Sequence, residues 1–435
     1  MHILFEYLEN KGLSNDDDMK SLNKWSNAKL IELIDQLESL DFTEKENEKS
    51  LFSFSVNEEL SSGKNSCSQI ECRLKKMKEL AQFAVLYSEN ILIYNPFENY
   101  FGIEKWLKFH KSELINDLII INYLKPLINK GIIKFTPGKD CMCAGCRSKI
   151  LSKFENLLES IESNIIETTR FTIANNGNKC SLSVRGNSEI FGHELSALVV
   201  EGPYKHMKFL KENNGHILTT EEVKMLGLSR QRAEDIVFDL TRQDANVKIF
   251  NNNYLFSNDY YPEIINNINN FKTGSISHRE IVNGLTHVVP TIENTNLHNL
   301  ISLRENDYES FLVYRDSINK LIKQTIENKD FSDLETAIND IVKPELNKIN
   351  LTISKNKKIL TYKTSKELFI GTGLIALGVF SGILPPDFGK IFGAIGGCTF
   401  AHAIANQLID LNNPEYNILD NKYYFIWKMQ QMTKQ

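Results

Sequence analysis

The sequence predicts a mainly α-helical protein with a small antiparallel β element, and three observations support this fold class. Apolar residues recur at helical spacing over most of the 435 residues. The pattern changes to strand-like alternation in residues 170–201, where an Asn-rich turn at 175–178 separates short β-type runs. Near the C-terminus, two uncharged runs of nineteen residues, 368–386 and 391–409, predict an apolar helical hairpin.

These changes of pattern divide the chain into six segments. Residues 43–66 are charged and serine-rich, so we expect a linker there. A short apolar run at 91–94 predicts a buried strand. Helical spacing is found at residues 27–40, 72–87, 103–129 and 147–168. The predicted segments are 1–66 (helical segment and polar linker), 67–168 (helical domain with a cysteine cluster), 169–215 (small β region), 216–257 (winged-helix-like module), 258–360 (helical region) and 361–435 (apolar hairpin and C-terminal cap).

Five of the cysteines have spacings that bear on metal binding. They are a C-x-C-x-x-C cluster of Cys141, Cys143 and Cys146 and an earlier pair, Cys67 and Cys72. Together they offer the thiolates of a tetrahedral zinc site, and zinc is the one cofactor that the sequence suggests. The alternatives are buried or surface thiols beside a turn, and a redox switch.

Residues 216–257 have the pattern of a winged helix-turn-helix module. Two predicted helices, N-capped by Thr219 and Ser229, are followed by a predicted hairpin of VKIF and YLF. The residues placed to contact DNA or a protein partner are Arg230, Gln231 and Arg232. Acidic residues follow at once on the same helix, which opposes attraction to phosphates. A role in structure or protein interaction is therefore favoured over DNA contact.

The predicted hairpin has a stripe of small residues. Its members are Gly378 and Gly382 on the first run, and Gly389, Gly393, Gly397, Ala401 and Ala405 on the second. In lipid, such a stripe is a helix association face, and lysines crowd the entrance to the first run. Against a membrane position, the second run contains His402, Asn406 and Gln407. Two buried helices of a soluble core, or a pocket for a lipid tail, remain alternatives.

Composition and motifs narrow the class of function. Charged residues are 24% of the chain and the net charge is -5, which argues against a protein coated in nucleic acid. The first ten residues lack the basic start of a secretory signal, so we expect a cytoplasmic protein, associated with the inner face of the membrane if the hairpin binds lipid. No phosphate loop, nucleophile elbow, zinc-protease or dinucleotide motif is found. A binding protein is favoured over an enzyme, although active residues need not be adjacent in sequence.

Two segments, LYSENILIYNPF (residues 86–97) and NKYYFIWKMQ (residues 421–430), resemble stretches of uncharacterised bacterial proteins found among phage-defence genes. The resemblance implies cytoplasmic proteins that sense infection and often act on the host membrane. We therefore expect an antiviral defence or stress protein in which an N-terminal sensing region controls the apolar hairpin. The alternatives are a winged-helix DNA-binding regulator and a soluble lipid- or partner-binding protein. A protein partner is expected, and an oligomer is left open.

Overall fold

The structure is a computed structural model. It describes residues 1–44, 52–62, 69–101, 111–137, 144–175, 180–186, 188–191, 195–199, 203–250, 252–257, 260–261, 264, 290–291, 297–306, 308, 311–313, 370–371 and 375–377. The helices are α1 (Ile3–Asn10), α2 (Asp16–Ser21), α3 (Asn27–Ser39), α4 (Glu58–Ser62), α5 (Ile70–Tyr87), α6 (Lys111–Asn129), α7 (Ala144–Leu151), α8 (Glu155–Thr168), α9 (Ser188–Phe191), α10 (Tyr204–Glu212), α11 (Thr220–Met225), α12 (Leu228–Phe250) and α13 (Leu297–Asn306). The strands are β1 (Ser53–Val56), β2 (Asn90–Tyr94), β3 (Ile133–Thr136), β4 (Arg170–Ile173), β5 (Ser181–Arg185), β6 (Leu195–Val199), β7 (Asn253–Phe256), β8 (Pro290–Thr291), β9 (Ile370–Gly371) and β10 (Ile375–Leu377).

A five-stranded sheet with the order β10-β7-β1-β2-β3 forms the core of the described residues. Four neighbouring strands, β7, β1, β2 and β3, are parallel, and β10 pairs antiparallel with β7 at one edge. Strand β2 confirms the buried strand that the apolar run at 91–94 predicts. The predominance of helix and the small antiparallel sheet are also confirmed, but the parallel sheet is an addition to the predicted fold class.

Helices connect the parallel strands and cover the sheet. The crossovers β1-α5-β2 and β2-α6-β3 run in one direction along the sheet, whereas the chain returns through α12 to place β7 on the other side of β1. Because parallel crossovers are right-handed, α5 and α6 lie on one face and α12 on the opposite face. Consistent with this, the ring of Phe54 lies 5.2 Å from that of Phe83 on α5, while Gln243 on α12 donates to the carbonyl of Ser55.

The N-terminal helices cover the β3 edge. Thr43 forms a parallel bridge with Phe135 of β3, and the rings of Phe42 and Phe135 lie 5.2 Å apart. Helix α3 begins after the Ser26 cap and buries the apolar face that its spacing predicts, with Leu30, Leu33, Ile34 and Leu37 inside. Covering this edge removes an unpaired strand that could otherwise recruit another chain.

The predicted antiparallel sheet is confirmed as β4-β5-β6. Its inner face buries Phe171, Ile173, Leu182 and Val184, against which the ring of Phe191 packs at 6.2 Å from Phe171. The alternation that predicts these strands therefore reflects one face in the core and one face outward.

The prediction of a linker at 43–66 is wrong for the middle of this segment. The structure has strand β1 there, between β2 and β7 in the parallel sheet. The sequence SFSV has too few apolar residues to signal a buried strand. Its serines are nevertheless buried because they are hydrogen-bonded: Ser53 to Asn90, and Ser55 to Asn252 at 3.1 Å. Satisfied hydroxyl groups are tolerated in a core, so composition alone misplaces this strand.

The winged-helix prediction is confirmed only for its two helices. Thr219 caps α11, as predicted, and the structure shows that it does so in a capping box with Glu222. Ser229 is not an N-cap but lies within the first turn of α12, and its hydroxyl donates to Glu162 at 3.0 Å. The predicted wing is wrong, because VKIF is the last turn of α12 and YLF belongs to β7 of the parallel sheet. A short apolar run does not distinguish strand from helix by spacing alone, and here the helix and sheet partners decide.

The predicted helical hairpin is wrong where the structure describes it. Residues 370–371 and 375–377 are strands, which pair with β8 and with the edge of β7. Unpaired backbone groups of an edge strand favour such pairing over a local helix. The rest of the two apolar runs lies outside the described residues. Among the helices that the structure describes, none combines the length and apolar character that crossing a membrane requires.

Candidate functional site

The candidate site is the carboxyl edge of the parallel sheet where β1 lies between β2 and β7. The chain leaves β1 toward β2 on one side and arrives at β7 on the other, so the connections diverge at this point. In open parallel sheets, ligands bind in the crevice that such a divergence leaves outside the carboxyl ends of the strands. We call this region the carboxyl-edge crevice; its residues are Asn57, Glu58, Glu59, Tyr94, Asn95, Asp239, Arg242 and Ser257.

Asn57, the first residue after β1, has a buried side chain that forms no hydrogen bond with any other described residue. It is 0% exposed, and neither Oδ1 nor Nδ2 has a partner among the described residues. Its backbone carbonyl accepts hydrogen bonds from the amide and the hydroxyl of Ser61, which fixes the turn into α4. Strand alternation places Asn57 on the same face as Ser55, toward α12. A buried amide with unmet hydrogen bonds is costly and marks a place where a ligand or water completes it.

A network of charges joins α4 to α12 beside Asn57. The carboxylate of Asp239 accepts two hydrogen bonds from the backbone N–H of Glu58, at 3.0 and 3.2 Å. The guanidinium of Arg242 donates to Glu58 Oε2 at 2.9 Å and lies 3.6 Å from Asp239 Oδ1. The same guanidinium stacks on the ring of Tyr94 at 4.9 Å. One arginine therefore holds two carboxylates together at the end of β2.

Asp239 is the titratable centre of this network. Burial and, to a smaller extent, the nearby charge of Glu58 together raise the pKa of Asp239 to about 7, against the opposing effects of Arg242 and of the hydrogen bond from the Glu58 N–H. A carboxyl group with a pKa near neutrality can gain or lose a proton under physiological conditions. Perturbed carboxyl groups of this kind are concentrated in functional sites.

A second carboxylate, Glu59, links α4 to the residues after β7. It is 4% exposed and accepts a hydrogen bond from the hydroxyl of Ser257, while the hydroxyl of Tyr261 lies 3.5 Å away. Burial raises the pKa of the Tyr261 phenol, and the charge of Glu59 adds to this effect. The end of β7 is thus tied to the crevice through a buried side-chain contact.

The segment after β2 forms the remaining wall. Asn95 caps the turn that follows β2, accepting from the amide of Phe97 at 3.1 Å. Further along, Tyr100 donates to Asp117 of α6, which also forms a fully buried ion pair with Arg73 of α5. Each buried charge in this triad has a partner, so the triad holds the segment after β2 against α5 and α6.

The crevice encloses a small cavity of about 20 Å³. It is lined by Glu58, Ser61, Tyr94, Asn95, Pro96, Asn99 and Arg242. This volume is enough for one water molecule or one hydroxyl group. The lining combines the Glu58 carboxylate with the Arg242 guanidinium, two hydroxyl groups and two side-chain amides, so it offers both acceptors and donors to an incoming group.

The three predicted contact residues of the helix-turn-helix occupy different environments. Arg230 is engaged with Glu155 at 2.8 Å and Glu234 at 3.1 Å, and the hydrogen bond to Glu155 raises its pKa. Arg232 donates to the carbonyl of Ile190. Gln231 is exposed. The two arginines thus brace α12 against α8 and α9.

The other predicted sites lie mainly beyond the described ranges. Cys72 lies on α5 and Cys146 on α7, whereas Cys67, Cys141 and Cys143 lie outside the described residues. Within the described part of the chain, no group of three or more potential ligands is arranged for a metal ion. Every member of the small-residue stripe lies outside the described residues as well: Gly378, Gly382, Gly389, Gly393, Gly397, Ala401 and Ala405.

The sequence prediction did not identify the carboxyl-edge crevice. One signal was present: SFSV and ILIY are each followed directly by an asparagine, Asn57 and Asn95, and a helical pattern lies between them. Strands that alternate with helices predict parallel pairing, which brings such residues to one edge. The contribution of α12, 182 positions after Asn57 at Asp239, has no local signal.

The fold and site define the described core as a parallel α/β unit with a polar crevice at its carboxyl edge. No family model, no curated protein and no solved structure matches this chain.

Proposed function

We propose that this chain is a non-enzymatic bacterial defence or stress protein whose described part senses a small hydroxyl-rich molecule in the carboxyl-edge crevice. The observation that carries the proposal is the fully buried Asn57 amide, which has no hydrogen-bond partner among the described residues. It stands at the position where parallel sheets bind ligands. A ligand that donates to Oδ1 and accepts from Nδ2 completes this side chain.

The charges of the crevice support a ligand rich in hydroxyl groups. Glu58 and Asp239 outnumber Arg242, whose guanidinium they already engage. This balance disfavours a phosphate group at the crevice and favours donors such as sugar hydroxyls, which carboxylates bind in nucleotide sites of parallel α/β folds. The cavity, which is lined by the neighbouring Glu58 and not by Asn57 itself, has room for one such hydroxyl.

A physical connection to the C-terminal apolar run supports the sensing role. Ser257, which contacts Glu59 in the crevice, directly follows β7, and β7 pairs with β10 from the first apolar run. A ligand that shifts Glu59 changes the position of β7 and therefore the edge on which β10 rests. We propose this route for control of residues 368–409, and their engagement with membrane or lipid stays a prediction.

The DNA-binding alternative has less support. Arg230 and Arg232 are used within the protein, and Glu155, Glu234 and Asp235 surround the start of α12 with negative charge. A phosphate backbone is repelled by such a surface. A soluble lipid- or partner-binding protein remains consistent with the crevice if the apolar run is covered within the protein.

Replacing Asn57 tests the crevice without knowledge of the natural ligand. In ligand-free buffer, we expect Asn57→Leu to raise the free energy of unfolding by about 1–3 kcal/mol, because it removes an unsatisfied buried amide. The same variant should lose any rise in melting temperature that adenosine or ribose, used as hydroxyl-bearing probes, produces in the wild type. Urea and thermal unfolding measure both effects.

Asn252→Leu is the matched control. Its Oδ1 accepts a hydrogen bond from the Ser55 hydroxyl at 3.1 Å, whereas its Nδ2 has no partner among the described residues. Replacing Asn252 should destabilise the protein, because it leaves the buried Ser55 hydroxyl without its acceptor. If Asn57→Leu destabilises the ligand-free protein as Asn252→Leu does, the Asn57 amide is satisfied within the fold and the ligand site is refuted.

Flotation with liposomes tests the link to lipid. Full-length protein and a variant lacking residues 368–409 are compared with neutral and anionic vesicles. Flotation that requires residues 368–409 and changes in Ser257→Ala supports control through β7. Full-length protein that stays with the soluble fraction under all conditions removes lipid engagement from the proposed function.

A further inference from the structure

The outward face of the antiparallel sheet carries two arginines in an unusual position. Arg170 on β4 and Arg185 on β5 are directly opposite in the strand register, and both are exposed. Side chains in this relation have Cβ atoms about 4.5–5.5 Å apart, and like charges so placed destabilise the sheet. Among the described residues, neither guanidinium has an ion-pair or hydrogen-bond partner.

The next pair on the same face adds hydroxyl groups. Thr172 lies opposite Ser183, one step along from the arginine pair, and both are partly exposed. Successive side chains of a strand point to opposite faces, so these residues share the outward face while Phe171 and Val184 are buried. The four outward side chains form a compact group of donors, which we call the arginine-pair patch.

We propose that the arginine-pair patch, Arg170, Thr172, Ser183 and Arg185, binds a single phosphate group. A guanidinium presents parallel N–H donors in a planar fork that matches phosphate oxygens, and two such forks can hold one tetrahedral anion. The bound negative charge also offsets the repulsion between the arginines. The phosphate is either free or the terminal group of a phosphomonoester.

This site is separate from the carboxyl-edge crevice and opposite to it in charge. The crevice lies on the parallel sheet and is lined by Glu58 and Asp239, whereas the patch lies on β4 and β5 and carries two positive charges. The two sites therefore predict different ligands and different sensitive residues.

Calorimetric titration of the full-length protein tests the proposal. The probes are inorganic phosphate, AMP and adenosine, in buffers of constant ionic strength made up with chloride. We expect phosphate and AMP to bind, and Arg170→Gln and Arg185→Gln each to weaken that binding about tenfold or more, as loss of a charged hydrogen bond implies. Lys205→Gln, which removes an exposed charge from α10, should leave the affinity unchanged.

Melting temperature in phosphate-free buffer gives a second readout. Since one arginine of a repelling pair is removed, Arg170→Gln should melt at the wild-type temperature or above it. When phosphate is added, the melting temperature of this variant should rise less than that of the wild type. Tighter binding of AMP than of phosphate, lost in both arginine variants, assigns the patch to phosphomonoesters, and equal affinities assign it to the free anion. The proposal is overturned if phosphate and AMP do not bind the wild type, or if both arginine variants bind them as the wild type does.

Discussion

The charge state of Asp239 gives the sharpest prediction about the carboxyl-edge crevice. Its ordinary pKa is 3.8, and burial raises the pKa to about 7 in the folded protein. The folded state therefore binds more protons than the unfolded state between pH about 4 and 7. Stability from this group is fully present below pH about 4 and is lost as the pH rises through 7.

The expected size follows from the shift. A difference of one pKa unit between the folded and unfolded states corresponds to about 1.36 kcal/mol, so the raised pKa of Asp239 corresponds to on the order of 4 kcal/mol of stability. Asp239→Asn keeps an oxygen that accepts from the Glu58 amide but cannot ionise. The free energy of unfolding of the wild type, minus that of Asp239→Asn, should therefore fall by up to about 4 kcal/mol from pH 4 to pH 8.

Urea unfolding of both proteins across this pH range, followed by circular dichroism, measures the difference. Asp235→Asn is the matched control, because it lies one turn earlier on α12 with a side chain that is 45% exposed and paired with Arg147. A difference between wild type and Asp239→Asn that stays constant with pH refutes the assignment of a neutral buried carboxyl group. A difference that rises with pH refutes its sign.

Two further predictions concern the supports of the fold. Arg73→Met leaves Asp117 as an uncompensated buried charge and should cost about 3–5 kcal/mol of stability in urea unfolding. Lys76→Met loses a partly exposed pair with Glu79 and a 3.4 Å hydrogen bond to the Ser257 carbonyl, and should cost no more than about 1–2 kcal/mol. A Cβ atom at Gly186 falls 2.5 Å from Thr169 Oγ1, so Gly186→Ala should destabilise the protein by about 1–3 kcal/mol. Adding Thr169→Ala should recover part of that loss, and equal melting temperatures for wild type and Gly186→Ala contradict the predicted clash.

The local sequence pattern was sufficient to predict those helices and strands that depend mainly on their own neighbours in sequence. Helix α3, the N-cap Thr219 and the strands β4 to β6 follow the prediction because spacing, caps and turns act over a few residues. Strand β2 was also predicted, since four apolar residues before an Asn-Pro turn need no distant partner to be recognised.

Pairing between distant parts of the chain decided the elements that the local pattern did not predict. Strand β1 is rich in serine and gains its place only through β2, β7 and the buried partners of Ser53 and Ser55. Instead of the predicted wing, the structure has the end of a long α12 followed by β7, because β7 pairs with a strand some 200 positions earlier in the chain. In the same way, β10 pairs with the edge of β7 instead of continuing a helix.

The sequence by itself determined the helical character, the antiparallel sheet and the polar residues available for binding. Only the tertiary structure decided that Asn57, Glu58, Asp239 and Arg242 meet at one edge. The physical reason is that a parallel sheet brings the carboxyl ends of strands from distant parts of the chain to one edge. Burial at that edge then shifts the pKa values of the ionisable side chains that meet there. Neither the neighbours of Asp239 nor its loss of solvent is encoded in its local sequence.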